Sequence, residues 1–256
     1  GSYVMDCYAV LGYINAIHKG SAPPKVGLLT YNNAYGKSIH DPSQEYASKH
    51  NIDIVAIEQF PPKSLDLKTE LLRLKDKGAE YIFMQCLPSA IIMALESADR
   101  VQFDVPFFGT WTSTDPDFFK RGKGLIRDRM HMQFPGCLPG DDNPGIKLLT
   151  DLWERYGSVS KFDTAYWEGV AVGAIMAKAF QRAYDKLGKT DSEAINVALE
   201  TFQNEDFGGL VPNITYTDTD HSASFTARIV KINEDQTFEP LTKFWNPKKE
   251  KVTLLK

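Results

Sequence analysis

Apolar positions along this chain fall into two rhythms that take turns. In YVMDCYAVLGYINAIHK, residues 3–19, Val4, Cys7, Leu11, Ile14 and Ile17 share one face at helical spacing. Gly20 and the Pro23–Pro24 pair stop that helix. KVGLLTY at 25–31 is a near-continuous apolar run and predicts a buried strand. YGKSIHDPSQEYASKH at 35–50 predicts a helix with a kink at Pro42. The same signals repeat, with strands over 52–60, 81–86 and 105–111 and helices over 65–78, 89–100 and 115–121. Leu67, Leu71 and Leu74 stripe the 65–78 helix, and Asp115 followed by Pro116 marks a helix start. Another extended run covers 128–134. Strand–helix alternation with short links argues for a parallel sheet covered on both faces, and the apolar strands agree. Residues 1 to about 132 are expected to form one doubly wound, Rossmann-like α/β lobe.

The pattern then changes. PGCLPGDDNPG, 135–145, is a turn-rich linker, in which Asp141 and Asp142 are expected to favour a helix start. Helical stretches follow at 146–157, 163–188 and 192–202 with no strand between them. The middle one carries the small residues Gly169, Ala171, Gly173, Ala174 and Ala177. These helices need a surface to cover. They form either a helical cap or the backing of a second sheet whose strands lie outside this sequence. After FGGLVPNITYT at 207–217, the segment 223–245 predicts a β-hairpin turning near Asn233–Gln236.

With 256 residues, the chain makes one large or two ordinary domains. A formal net charge of -4 supplies no basic field, which argues against a nucleic-acid partner. Cys7, Cys86 and Cys137 are an odd set without CxxC spacing, so at least one thiol lacks a partner within the chain. No apolar run reaches the ~18 residues of a membrane helix. No signal peptide is visible and the chain opens inside a helical pattern, so the natural protein is expected to begin upstream of Gly1.

Open parallel sheets bind ligands at the carboxyl ends of their strands. Three loops qualify: Asn33 and Tyr35 after the first strand, Gln85 and Cys86 after the third, and Trp111, Thr112 and Ser113 after the fourth. Aromatic rings beside small hydroxyls suit a small organic ligand with an apolar body and a polar head. Plainer roles stand beside these. Tyr35 can anchor its loop, Asn33 can shape a turn, Cys86 can pack as a small hydrophobe and Trp111 can be core. Catalytic patterns are missing: there is no GxSxG elbow, Walker A loop, GxGxxG or HExxH. No cofactor or metal is expected. An α/β hydrolase using Cys86 would need a base, and the sequence names none.

KVGLLTYNNAYGKSIHDPSQEYASKHNIDIVAIEQFPP resembles the type I periplasmic binding proteins of ABC transporters, in the leucine/isoleucine/valine-binding branch. GTWTSTDPDFF, FPGCLPGDDNPGIK and SFTARIVKI followed by FEPLTKFW extend the resemblance over nearly the whole chain. It implies two Rossmann-like lobes that clamp a small ligand. Residues 1–132 would be the second lobe, 133–209 the returning helices of the first, and 210–256 the final crossing and hairpin. Most of the N-terminal lobe would lie upstream. The resemblance implies a ligand contact at Tyr35 and others at Cys86 and Leu87. It sets Phe162 and Tyr166 at the first-lobe edge facing the ligand's side chain. Trp111 falls where amino-acid binders carry a carboxylate for the ammonium group, which argues against a plain branched-chain amino acid. Asp115 or Asp117 could substitute only if the loop bends inward. Hinges are expected at Phe134, Pro135 and Gly136 and at Gly208 and Gly209. The implied protein is not an enzyme. It captures an amino acid or an aromatic or other organic acid in the periplasm and hands it to a membrane permease. A sensor of the same fold is the alternative. Without upstream strands, the helices over 146–202 are expected to expose apolar surface and promote self-association.

Overall fold

The structure, a computed structural model, describes residues 3–157, 164–223 and 226–255. The chain divides into two compact units. A sheet unit is built from the residues up to Phe134 together with those from Thr226 onward, and a helical unit runs between them.

The sheet unit opens with helix α1 (Tyr3–Ile17) and alternates β1 (Lys25–Tyr31), α2 (Ala34–Lys37), α3 (His40–His50), β2 (Asp53–Phe60), α4 (Lys68–Asp76), β3 (Tyr81–Gln85) and α5 (Pro88–Arg100). It continues through β4 (Phe107–Gly109), a 3-10 turn at Trp111–Ser113, α6 (Pro116–Arg121) and β5 (Met130–Phe134). The chain returns later as β6 (Arg228–Ile232) and β7 (Phe238–Pro240). The seven strands lie in the order β2-β1-β3-β4-β5-β6-β7. The first five are parallel, and β6 and β7 add antiparallel. The α/β class is as the sequence predicts, and the closing hairpin supplies two more strands of the same sheet.

Alternation along the strands separates the two faces. Val26, Leu28, Phe83, Phe108 and Ile229 pack under Val10, Leu11 and Ile14 of α1 and Tyr46 and Ala47 of α3. On the other face, Gly27 makes room for α4: a Cβ there would meet Leu74 at 2.7 Å. The expected stripe Leu67, Leu71 and Leu74 is fully buried.

The single helix expected over 35–50 is two. It breaks at Ser38–Ile39, and Pro42 sits in the first turn of α3, where a missing N–H costs nothing. Gly36 explains the tight entry. A Cβ there would lie 2.0 Å from the Tyr31 carbonyl oxygen, so α2 folds directly onto the end of β1. The strand expected over 105–111 shrinks to three residues because the chain turns at Trp111.

The helical unit holds α7 (Pro144–Tyr156), α8 (Thr164–Leu187) and α9 (Ser192–Glu200). Asn143 rather than the two aspartates caps α7, its Oδ1 accepting from Ile146 N at 2.9 Å, while Asp141 accepts from Leu138 N. Ala183 of α8 packs on Ala194 and Ala198 of α9. Val172, Phe180 and Tyr184 remain exposed, and a Cβ at Gly169 or Gly173 would meet nothing within 4 Å. Of the small residues of α8, Gly169, Gly173 and Ala177 are exposed and Ala171 is buried.

Replacing Gly36 by alanine forces α2 off β1. Chemical denaturation of Gly36→Ala is expected to show a loss of roughly 1–3 kcal/mol, the usual cost of an added methyl that forces a backbone shift. An unchanged midpoint would contradict the close approach.

Candidate functional site at the carboxyl rim

Parallel pairing brings β1, β3, β4 and β5 to one edge. Past β1, Asn33 starts α2 by accepting from Gly36 N at 3.0 Å, and the turn presents Tyr35. The Tyr35 hydroxyl shares a 2.8 Å hydrogen bond with Thr112 Oγ1, and Thr112 shares one of 3.1 Å with Thr110 Oγ1. Because β3 lies between β1 and β4, this bond spans the end of β3. The Tyr35 ring meets Tyr3 edge-on at 5.4 Å and Tyr31 at 6.4 Å. Burial pushes the Tyr35 hydroxyl up to about 12, so it stays neutral.

Beneath the rings runs a polar row. The β1–β3 register sets Thr30 beside Gln85. Continuing the pairing of Phe83 with Phe108 sets Gln85 beside Thr110, and continuing that of Gly109 with Met132 sets Thr110 beside Gln133. By alternation all four share the face of Leu28, Phe83 and Phe108, under α1. All four are buried. Thr30 shares a 2.9 Å hydrogen bond with His40 Nε2, and Thr110 is held by Thr112. Among the described residues, neither amide atom of Gln85, nor Oε1 of Gln133, has a hydrogen-bond partner. Each such orphan costs about 1–3 kcal/mol. Asp6 is buried in α1, the helix that covers this face. Tyr13 of α1 lies 6.0 Å from Phe108 and Tyr3 meets Tyr35, so Asp6, seven residues before Tyr13 on the same side of the helix, faces the sheet between them. Burial raises its carboxyl to about 7.

A family model described as periplasmic binding protein matches residues 2–237. The chain belongs to this family. Among solved structures, the fold is similar to that of a branched chain amino acid ABC transporter from Thermus thermophilus with bound valine. The two are 21% identical with a TM-score of 0.84, over 96% of this chain and 65% of that one. It is also similar to a fatty acid ABC transporter substrate-binding protein from Thermomonospora curvata, at 18% identity and a TM-score of 0.85, over 98% and 66%. A substrate-binding periplasmic protein from Ralstonia solanacearum gives 18% and 0.77, over 94% and 66%. This chain thus spans about two thirds of the length of these structures, and at such identities the likeness is one of fold, that of the type I periplasmic binding proteins. A sequence comparison with curated proteins finds no match.

The residues expected at a family site divide into groups. Tyr35 and Thr112 bond directly, and Gln85 and Cys86 end β3 below them. Cys86 is buried and burial pushes its thiol up, while Leu87 beyond it is half exposed. Trp111 is half-buried at the turn after β4. Asn33 spends its side-chain oxygen on the α2 cap. The carboxylates weighed as substitutes are both engaged: Asp115 caps α6 by accepting from Phe118 N at 2.6 Å, and exposed Asp117 pairs with Arg121. Tyr166 lies in the helical unit and donates to Leu149 O at 3.2 Å. Phe162 is outside the described residues. Phe134 ends β5 and Pro135 begins the helical unit. Gly136 lies flat against Trp167, whose ring is 2.1 Å from where a Cβ would be. Gly208 and Gly209, both at positive φ, lie within the helical unit, where Gly208 O accepts from Gly145 N at 2.7 Å.

Thr30, Thr110, Gln133, Tyr3, Tyr31 and Asp6 were not expected here. The alternation of His131 and Gln133 in MHMQF is the one local sign of a polar position on a covered face. A separate open groove of about 850 Å³, lined by Tyr8, Tyr46, His50, Trp245 and Lys248 among others, shares none of these rim residues. Among the described residues no cluster of His, Cys, Asp or Glu could hold a metal ion, and no helix is long and apolar enough to cross a membrane.

Asp6 and His131 pull stability in opposite directions with pH. Folded Asp6 keeps its proton to about 7 against an ordinary 3.8, so the folded state binds more protons between these values and stability falls as pH rises through them. Burial lowers His131 from 6.5 to about 4, so there the unfolded state binds more protons and stability rises with pH. Asp6→Asn is expected to leave only the rising limb between pH 4 and 6.5 and to gain most over the parent above pH 7. Melting curves across pH 4–8 check this. Parallel profiles for the two proteins would show that Asp6 is not buried as described.

Proposed function

We propose that this protein is a solute-binding protein that captures a small organic molecule at the carboxyl rim of its sheet and releases it unchanged. The observation that carries this reading is the rim itself. Tyr3, Tyr31 and Tyr35 supply an apolar wall, Thr112 a hydroxyl and Gln85 an amide, which is the mix of a small-molecule site. Membership of the periplasmic binding protein family supports it, as do neighbours named for ABC transport of amino acids and fatty acids. On this reading the protein works outside the cytoplasmic membrane and delivers its cargo to the permease of an ABC importer. The solute is an amino acid or a related organic acid. Turnover finds no support at the rim. The thiol there, Cys86, is buried and stays protonated, because burial raises its pKa.

A ligand that binds only the native state raises its melting temperature. A thermal-shift panel of amino acids, aromatic acids and short fatty acids is expected to give at least one saturable rise of several degrees. Tyr35→Ala should then weaken that ligand tenfold or more by calorimetry, and Tyr35→Phe, which keeps the ring, much less. If no compound shifts the midpoint, or if Tyr35→Ala binds as well as the parent, the rim is not the capture site.

A further inference from the structure

The polar row under the rim carries a statement about the kind of molecule the site takes, one that rests on the capture reading above. Thr30 and Thr110 already have partners. Gln85 offers a donor and an acceptor side by side with neither engaged, and Gln133 offers a second acceptor across Thr110 from it. These groups are buried at the edge where an open parallel sheet receives ligands. They lie on the face toward Tyr3 and Tyr35, and the Tyr35–Thr112 bond crosses above them.

We propose that Gln85, assisted by Gln133, is the specificity-determining group of the rim. It receives an uncharged end of such an amino acid or organic acid, one with an adjacent donor and acceptor, a primary carboxamide or a cis-amide, while the apolar body lies against the tyrosines and the ionised group is held away from the row. The complementarity is chemical. A carboxamide satisfies both atoms of Gln85 in one planar pair. A carboxylate has no proton for Oε1, and an ammonium has no acceptor for Nε2, so either leaves a buried group unpaired. Charge agrees. None of the four residues in the row is ionisable, and burial shifts His40, which holds Thr30, toward its neutral form, so the row offers an anionic head no cation. The head reaches Gln85 by parting the Tyr35 and Thr112 hydroxyls, which releases two further neutral partners to the ligand.

The test uses two shape-matched series, benzamide with benzoate and benzylamine, and isobutyramide with isobutyrate and isobutylamine. Binding to the protein is measured by calorimetry and thermal shift. In at least one series the amide is expected to bind tenfold or more tighter than its charged partners, as sites built for a specific hydrogen-bonding pattern discriminate. Gln85→Leu should erase that preference, and Gln85→Glu should move it toward the amine. Gln133→Leu is the second variant should Gln85→Leu not fold, with a partial loss expected. Equal or tighter binding of a carboxylate or amine by the parent overturns the proposal. So does an unchanged amide preference in Gln85→Leu, which would mean that buried water alone serves the glutamine. If none of the six compounds binds while the broader panel yields a ligand, this inference fails and solute capture stands. If neither set binds, both fail.

Discussion

Parallel pairing is the constraint from which the rest of this molecule follows. A strand that runs parallel to its neighbour must finish at the same edge, and the chain must cross back over a face of the sheet to begin the next. With β1, β3 and β4 adjacent, the loops carrying Tyr35, Cys86 and Thr112 have one place to be. The crossovers bury both faces, which is why these strands are apolar through most of their length. Against that background a polar residue pointing into a covered face stands out energetically. Four of them at one height across four strands form a distinct layer between the hydrophobic core and the aromatic rim.

Much of the architecture is legible along the chain because it is local. The strand over 25–31 has the bounds its apolar run indicates, and Asp115 caps its helix as its place before Pro116 suggests. The break between α2 and α3 is not legible, because it follows from the distance between Gly36 and a carbonyl five residues earlier. The polar row is illegible for a stronger reason. Gln85 belongs to a loop flagged for ligands, but its neighbours Thr30, Thr110 and Gln133 become neighbours only through strand register, which no window of sequence contains. Asp6 was concealed by periodicity. One stripe of α1 reads as apolar and Asp6 lies off it, yet the helix is buried on nearly every side as far as Ile14.

The rim also shows a familiar division of labour between stability and use. Unpaired amide atoms in Gln85 and Gln133, a carboxyl stripped of solvent and a neutral imidazole at His131 all weaken the folded state. The apolar cluster beneath them, from Leu28 through Phe83 and Phe108 to Ile14, offsets that cost. Local violations of good packing chemistry often mark functional sites, and here they gather toward the carboxyl ends of the strands and the helix that covers them.

The two closing strands of the sheet come from the chain's far end, beyond the entire helical unit. During synthesis, β5 therefore waits with an unsatisfied ladder of peptide groups until β6 leaves the ribosome. An open strand edge of that sort is a template for any passing chain, and long sequence separation slows its proper pairing. This delay is the interval in which the sheet is most open to mispairing.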